Sequence, residues 1–340
     1  MIAALMTTEC SRRRCTSIYR RCTLLVLAVV ISVFSLSSVV GSANEEAEPA
    51  ARREGGSLRL ISLNPSLSAI VMRLGATDAL VGIDDYSARI LPELSGLPRV
   101  GGLFDPSLEA VVSLRPDRVL LVAGVDQQSH AERLEKAGLT VEIYPNERLE
   151  EVLENIDRLG KLLGREPAAT ARIRAILAMR EAVRVATRDR DRAASLAVVD
   201  RSPLYLVGGE TFLDEMLASV GAENLGRRLG SGYPRGSIEW LIGAKPELLL
   251  DMTPGAEPAT AFWARWPSIP AVATDRVVDV DASRISLPGP DIDRALRELA
   301  IAVHGGAISK AIDDAYDQAY SDAMEGVSEI ETAFEKDRSP

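Results

Sequence analysis

Two glutamates occupy matching settings in this chain. Glu109 follows Ser107-Leu108 and precedes Val111-Val112 and Arg115-Pro116-Asp117. Glu239 follows Ser237-Ile238 and precedes Leu241-Ile242 and Lys245-Pro246-Glu247, 130 residues later. A Ser with Glu two residues on, opening an apolar run, marks a helix N-terminus with a carboxylate in its first turn, where negative charge is favoured. Such a carboxylate serves as a helix cap or as an exposed, stiffly held recognition charge. Residues able to make or break bonds are sparse. His130 and His304 are the only histidines, too few and too far apart for a bare zinc or manganese site. There is no Gly-x-Ser-x-Gly elbow, no phosphate loop and no His-Glu-x-x-His. Gly230-Ser-Gly-Tyr-Pro-Arg-Gly236 lacks a strand-to-helix setting and reads as a loop, and Asp84-Asp85 read as solvated turn residues.

The elements that position these residues alternate. Strands are expected at Arg59 to Leu63, Leu80 to Ile83, Arg118 to Val122 and Val141 to Tyr144, with helices between them. The pattern returns after residue 192, with strands at Leu196 to Val199, Tyr205 to Val207, Leu248 to Asp251 and Val277 to Val280, and a closing helix over Asp291 to Val303. Between the two sets, residues 146–192 carry Leu149, Val152, Leu153, Ile156, Leu159, Leu162 and Leu163 at helical spacing. Gly164-Arg165-Glu166-Pro167 interrupts that pattern, and Pro167 suits the first turn of a new helix. The expected class is α/β, with two pseudo-symmetric lobes of mainly parallel sheet bridged by a long, broken helix. A second internal match aligns Leu67 to Ala76 with Leu213 to Ala222, both ending in Gly-Ala. Two such lobes place a cleft between the loops at the carboxyl ends of their strands, where α/β folds hold ligands.

The ends of the chain set its destination. Five arginines between Arg12 and Arg21, the apolar run Thr23 to Val40 and Gly41-Ser42-Ala43 predict a cleaved export signal over 1–43. All three cysteines (Cys10, Cys15, Cys22) fall within it, so the exported protein has no disulfide, thiol nucleophile or cysteine-held metal. Without Glu9 and those arginines the formal charge moves from −10 to −14, which excludes a nucleic-acid footprint. Residues 44–57 read as a flexible lead-in, 58–145 and 193–305 as the lobes, and 306–340 as an acidic, solvated tail. A periplasmic monomer with no stable membrane insertion follows.

Residues 58 to 304 resemble the periplasmic binding proteins that serve ABC importers of iron-siderophores, haem and vitamin B12. The resemblance is carried by Arg59-Leu-Ile-Ser-Leu-Asn-Pro-Ser-Leu67, Leu74-Gly-Ala-Thr-Asp-Ala-Leu-Val-Gly82 and Leu97-Pro-Arg-Val-Gly-Gly102. Asp105-Pro-Ser-Leu-Glu109, Leu114-Arg-Pro-Asp117 and Ser237-Ile-Glu-Trp-Leu241 complete it. It implies a receptor that is no enzyme, holds no resident cofactor and carries a metal chelate such as a ferric siderophore, cobalamin or haem. In the family one surface glutamate per lobe pairs with arginines of the membrane subunits, and Glu109 and Glu239 match those positions. Ligand contacts are implied at Asn64, Tyr86, Phe104, Tyr205, Tyr233, Arg235 and Arg284, where aromatics stack on a planar macrocycle and arginines pair with acidic groups. Leu103 departs from the B12-binding pattern, which often has Trp there. His130 is expected as an exposed loop residue or a haem ligand. Two other readings keep the fold: an enzyme on the same scaffold, and a sensor or adaptor that has lost transport.

Overall fold

In the computed structural model the described residues are 57–321 except Ala256; the expected signal sequence, all three cysteines and the end of the acidic tail lie outside them. The short apolar run β1 (Leu60–Ser62) pairs in parallel with β2 (Leu80–Ile83) on one side and β5 (Arg118–Val122) on the other; β6 (Val141–Tyr144) completes the sheet in the order β2-β1-β5-β6. Between β2 and β5, β3 (Gly101–Gly102) and β4 (Asp105–Pro106) form a small antiparallel hairpin. The strands read as continuous apolar runs because both faces of a parallel sheet are covered. Ile61, Val119 and Leu121 point into a small core of their own, whereas Leu60 and Leu120 face a larger core shared with the rest of the molecule. Four helices follow the strands: α1 (Pro65–Arg73), α2 (Asp85–Ile90), α3 (Leu108–Ser113) and α4 (Val125–Lys136).

The bridge is two helices. α5 (Leu149–Leu163) ends at Gly164, whose φ of 63° is left-handed and suits glycine. α6 (Glu166–Thr187) then runs 22 residues, roughly 33 Å. Gly160 lets the pair close up, since a Cβ there would lie 2.4 Å from the Ala169 Cβ. α5 packs against α1 of the first lobe and α6 packs against the closing helix of the second, so the crossing is made by α6.

The second lobe repeats the first with additions. β7 (Ala194–Arg201) is eight residues long and turns back into the antiparallel β8 (Leu204–Leu206). α7 (Phe212–Ser219) leads to β9 (Glu223–Asn224), which pairs in parallel with the start of β7. α8 (Ile238–Ala244), β10 (Leu248–Asp251), α9 (Ala259–Trp263), α10 (Pro270–Ala273) and β11 (Val277–Asp279) follow. The sheet order is β11-β10-β7-β8. α11 (Ala282–Ile285) and α12 (Ile292–His304) close the lobe. Leu196, Val198 and Leu249 face a local core built on Trp263, and Ala197, Leu248 and Leu250 face the shared one.

Two of these expectations about elements differ from the structure. The chain past residue 305 does not leave the fold at once: a helix begins at 309, and Ile308 and Ile312 are fully buried in the shared core. Its acidic composition hides this, because Arg297 pairs with Asp313 while the apolar face packs inward. His130 is half-buried within α4, not in a loop. Among the described residues no helix is long and apolar enough to cross a membrane.

Candidate functional site

Glu109 and Glu239 sit in the first turns of α3 and α8. Ser107 Oγ accepts from the Ala110 N–H at 3.2 Å, and Ser237 Oγ accepts from the Trp240 N–H at 3.2 Å. Both glutamates are exposed, and neither makes an ion pair among the described residues. Glu239's own backbone N–H and the Ser237 hydroxyl hold its carboxyl below the usual range, so it stays charged. The support behind each helix is duplicated as well. Asp117 Oδ2 accepts from the Arg59 N–H at 2.8 Å while the Asp117 N–H donates to the Arg59 carbonyl at 2.8 Å. Glu247 and Ala194 make the same exchange in the second lobe, at 3.3 and 2.8 Å. Arg115 and Lys245, just before the two prolines, both adopt positive φ (47° and 54°). Two identical carboxylates are thus presented on two copies of one scaffold.

The strand ends of the first lobe carry Asn64, Tyr86 and Phe104. Asn64 is buried, and its Oδ1 caps α1 by accepting from the Ser66 N–H at 2.8 Å, so that oxygen is already engaged in holding the helix. Asp84, expected as a solvated turn residue, is instead fully buried and caps α2, accepting from the Ser87 N–H at 2.8 Å and from the Ser87 hydroxyl. Ser87 Oγ lies 3.2 Å from Ser68 Oγ, which donates to Ser62 Oγ at 2.8 Å. Burial pushes the Asp84 carboxyl up against the opposing pull of its hydrogen bonds. This buried hydroxyl network fixes the start of α2, where Tyr86 is exposed with the Arg89 guanidinium 4.6 Å over its ring. Phe104 tops the β3–β4 hairpin and is 69% exposed, a large apolar ring with nothing covering it. The Gln127 amide donates to the Leu103 carbonyl at 3.0 Å and ties this hairpin to α4.

In the second lobe Tyr205 and Arg235 are brought together as antiparallel bridge partners, and Tyr233 lies on the same loop. That loop packs closely: a Cβ on Gly208 would meet the Gly230 carbonyl at 2.5 Å. Tyr205 and Tyr233 are exposed. At the ends of β7 and β10 the buried Arg201 and Asp251 pair at 2.9 Å, with the Trp263 indole N–H donating to Asp251 at 2.5 Å. Trp263 is a core residue.

Arg284 lies elsewhere, in a pocket of about 430 Å³ between the lobes. Met72, Ile90 and Leu91 line one wall, and Leu287, Arg294 and Glu298 the other. None of the remaining six predicted ligand residues lines it. Across the lobes Arg73 Nη2 donates to both carboxylate oxygens of Asp291, at 2.5 and 2.6 Å. The sequence reading missed these pocket residues because they come from helix faces, with no local motif. His304 is no candidate ligand group: its Nε2 sits 2.6 Å from the Val220 carbonyl, and burial lowers its pKa. Among the described residues no cluster of three or more His, Cys, Asp or Glu could hold a metal ion.

Comparison with known proteins gives this architecture its place. Residues 60–283 match the family model described as periplasmic binding protein. A cobalamin-binding protein of Halobacterium salinarum is 30% identical over 264 residues, covering 74% of this chain and 70% of that protein. An uncharacterized ABC transporter substrate-binding lipoprotein of Bacillus subtilis is 26% identical over 256 residues, 72% of this chain and 80% of that one. The apo form of a periplasmic heme-binding protein from Roseiflexus sp. RS-1 superposes with a TM-score of 0.63 at 23% identity, over 76% of this chain and all of that one. The bilobal α/β fold and the family match agree: the chain belongs to the periplasmic binding protein family.

Proposed function

We propose that this protein is the exported receptor of an ABC importer, which holds a metal chelate of the cobalamin, haem or siderophore class noncovalently between its lobes. The observation that carries this reading is the pair of exposed glutamates, each in the first turn of a Ser-capped helix and each backed by the same clamp at the strand starts. A receptor whose membrane partner is itself two-fold needs one charge per lobe at matched positions, and arginines on that partner complete the pairs. The chelate supplies its own metal, and the chain needs no resident cofactor and catalyses no reaction. Tyr86, Phe104, Tyr205 and Tyr233 offer exposed rings to a planar ligand, and Arg235 and Arg284 offer charge; Asn64 acts by fixing α1. The relative named for cobalamin binding puts a corrinoid first among the chelates. Export depends on cleavage of residues 1–43, leaving the receptor in the periplasm.

The test separates binding from delivery. The Glu109→Ala/Glu239→Ala protein is expected to fold and to bind chelate as the parent does, while uptake in cells falls to background; each single variant retains part of it. Full uptake by the double variant would sink the docking assignment.

A further inference from the structure

We infer that the pocket between the lobes is a subsite for one anionic arm of the cargo, a carboxylate or a phosphate on an apolar stem, and that Arg294 is the cation that receives it. This rests on the receptor reading above. The floor is apolar, formed by Ala69, Met72, Ile90, Leu91, Leu287 and Ala295. The charges at its edge are almost all engaged. Arg73 and Asp291 satisfy each other through two hydrogen bonds at 2.5 and 2.6 Å. Arg284 is held between Asp281 at 3.3 Å and Glu298 at 3.1 Å. Arg294 alone among these charges is exposed with no ion pair or hydrogen bond among the described residues.

One uncompensated guanidinium beside an apolar wall selects a ligand of matching form. The low-polarity wall strengthens the field of the cation, and the guanidinium fork matches the two oxygens of a carboxylate or phosphate. A second anionic group would meet Asp291 and Glu298 with no free cation to offset them. The pocket therefore takes one arm, its stem on Met72 and Leu287 and its oxygens at Arg294.

Two ligand pairs differ in whether that anionic group is present. Cyanocobalamin carries one phosphodiester and dicyanocobinamide lacks it; haemin carries carboxylates and its dimethyl ester does not. Binding of all four is measured on the parent, Arg294→Gln and Arg294→Lys by titration in low and high salt. For the pair that binds, Arg294→Gln is expected to weaken the charged member about tenfold, the scale of one charge-assisted hydrogen bond, and to leave the uncharged member within about twofold. Arg294→Lys should recover part of the loss. Loss on cyanocobalamin identifies the arm as phosphate, and loss on haemin identifies it as carboxylate. Equal weakening of both members, no weakening of either, or parent affinity greater for the arm-free member overturns the inference. If the parent binds none of the four, the subsite inference is overturned, and if it binds no ferric siderophore either, the receptor reading fails with it.

Discussion

In the first lobe Arg59 and Asp117 exchange backbone and side-chain hydrogen bonds at the starts of two inner strands, and in the second lobe Ala194 and Glu247 do the same. Gly75 and Gly221 turn the chain at matching φ values of 71° and 76°, and the next residue of each, Ala76 and Ala222, donates back to the carbonyl five residues earlier. These repeated parts lie at the strand starts and the helices that carry Glu109 and Glu239. The strand ends differ. The first lobe fills them with hydroxyls, Ser62, Ser68 and Ser87, around the single buried carboxyl of Asp84. The second lengthens β7 from three residues to eight, folds back a hairpin bearing Tyr205, and uses Arg201, Asp251 and Trp263 instead. On the proposed function, a two-fold partner would preserve symmetry at the helices that carry Glu109 and Glu239, and an asymmetric ligand between the lobes would leave the strand ends free to diverge.

Breaking the charged network of the second lobe should have the largest effect. Arg201 is nearly enclosed by Asp251 and stacks over Phe262 at 4.7 Å, so Arg201→Ala strands a buried carboxylate. The expected cost is about 3–5 kcal/mol, read as a lower midpoint in urea unfolding. Ser107→Ala and Ser237→Ala each remove one cap and should each cost about 1 kcal/mol. Equal losses would support equivalence of the two helices; a marked inequality would show that their symmetry is only geometric.

The smallest effect is a pH dependence in the first lobe. Asp84's folded-state pKa is raised by burial, so the folded protein takes up a proton before the unfolded chain does. Between the folded and unfolded values stability therefore falls as pH rises, the reverse of a salt-bridged carboxylate. Asp84→Asn should gain stability relative to the parent as pH is raised from 4 to 7, measured by paired denaturant curves. A relative loss over that range would mean that the charged form is the one the hydroxyls stabilise.

Much of this was legible along the chain. The Ser-x-Glu repeat and the basic-Pro-acidic step located both Ser-capped helices, because caps and turns are local chemistry. The Gly164 interruption likewise marked the break between α5 and α6. What escaped depends on contacts between distant residues. Asp84 looked like half of a solvated pair, and only the approach of Ser68 from α1 buries it. Ile308 and Ile312 looked isolated in an acidic tail until the shared core received them. Arg294, Met72 and Leu287 share no local signal; the pocket exists only because α1 and α2 of one lobe meet α12 of the other.

The most direct measurement is a visible-absorbance titration of the purified protein with cyanocobalamin, haemin and ferric siderophores, with native mass spectrometry to count the ligand. One chelate bound per chain, with a shifted spectrum and micromolar or tighter affinity, is the predicted result. No complex with any of them would contradict the proposal that the cleft of this protein carries a metal chelate.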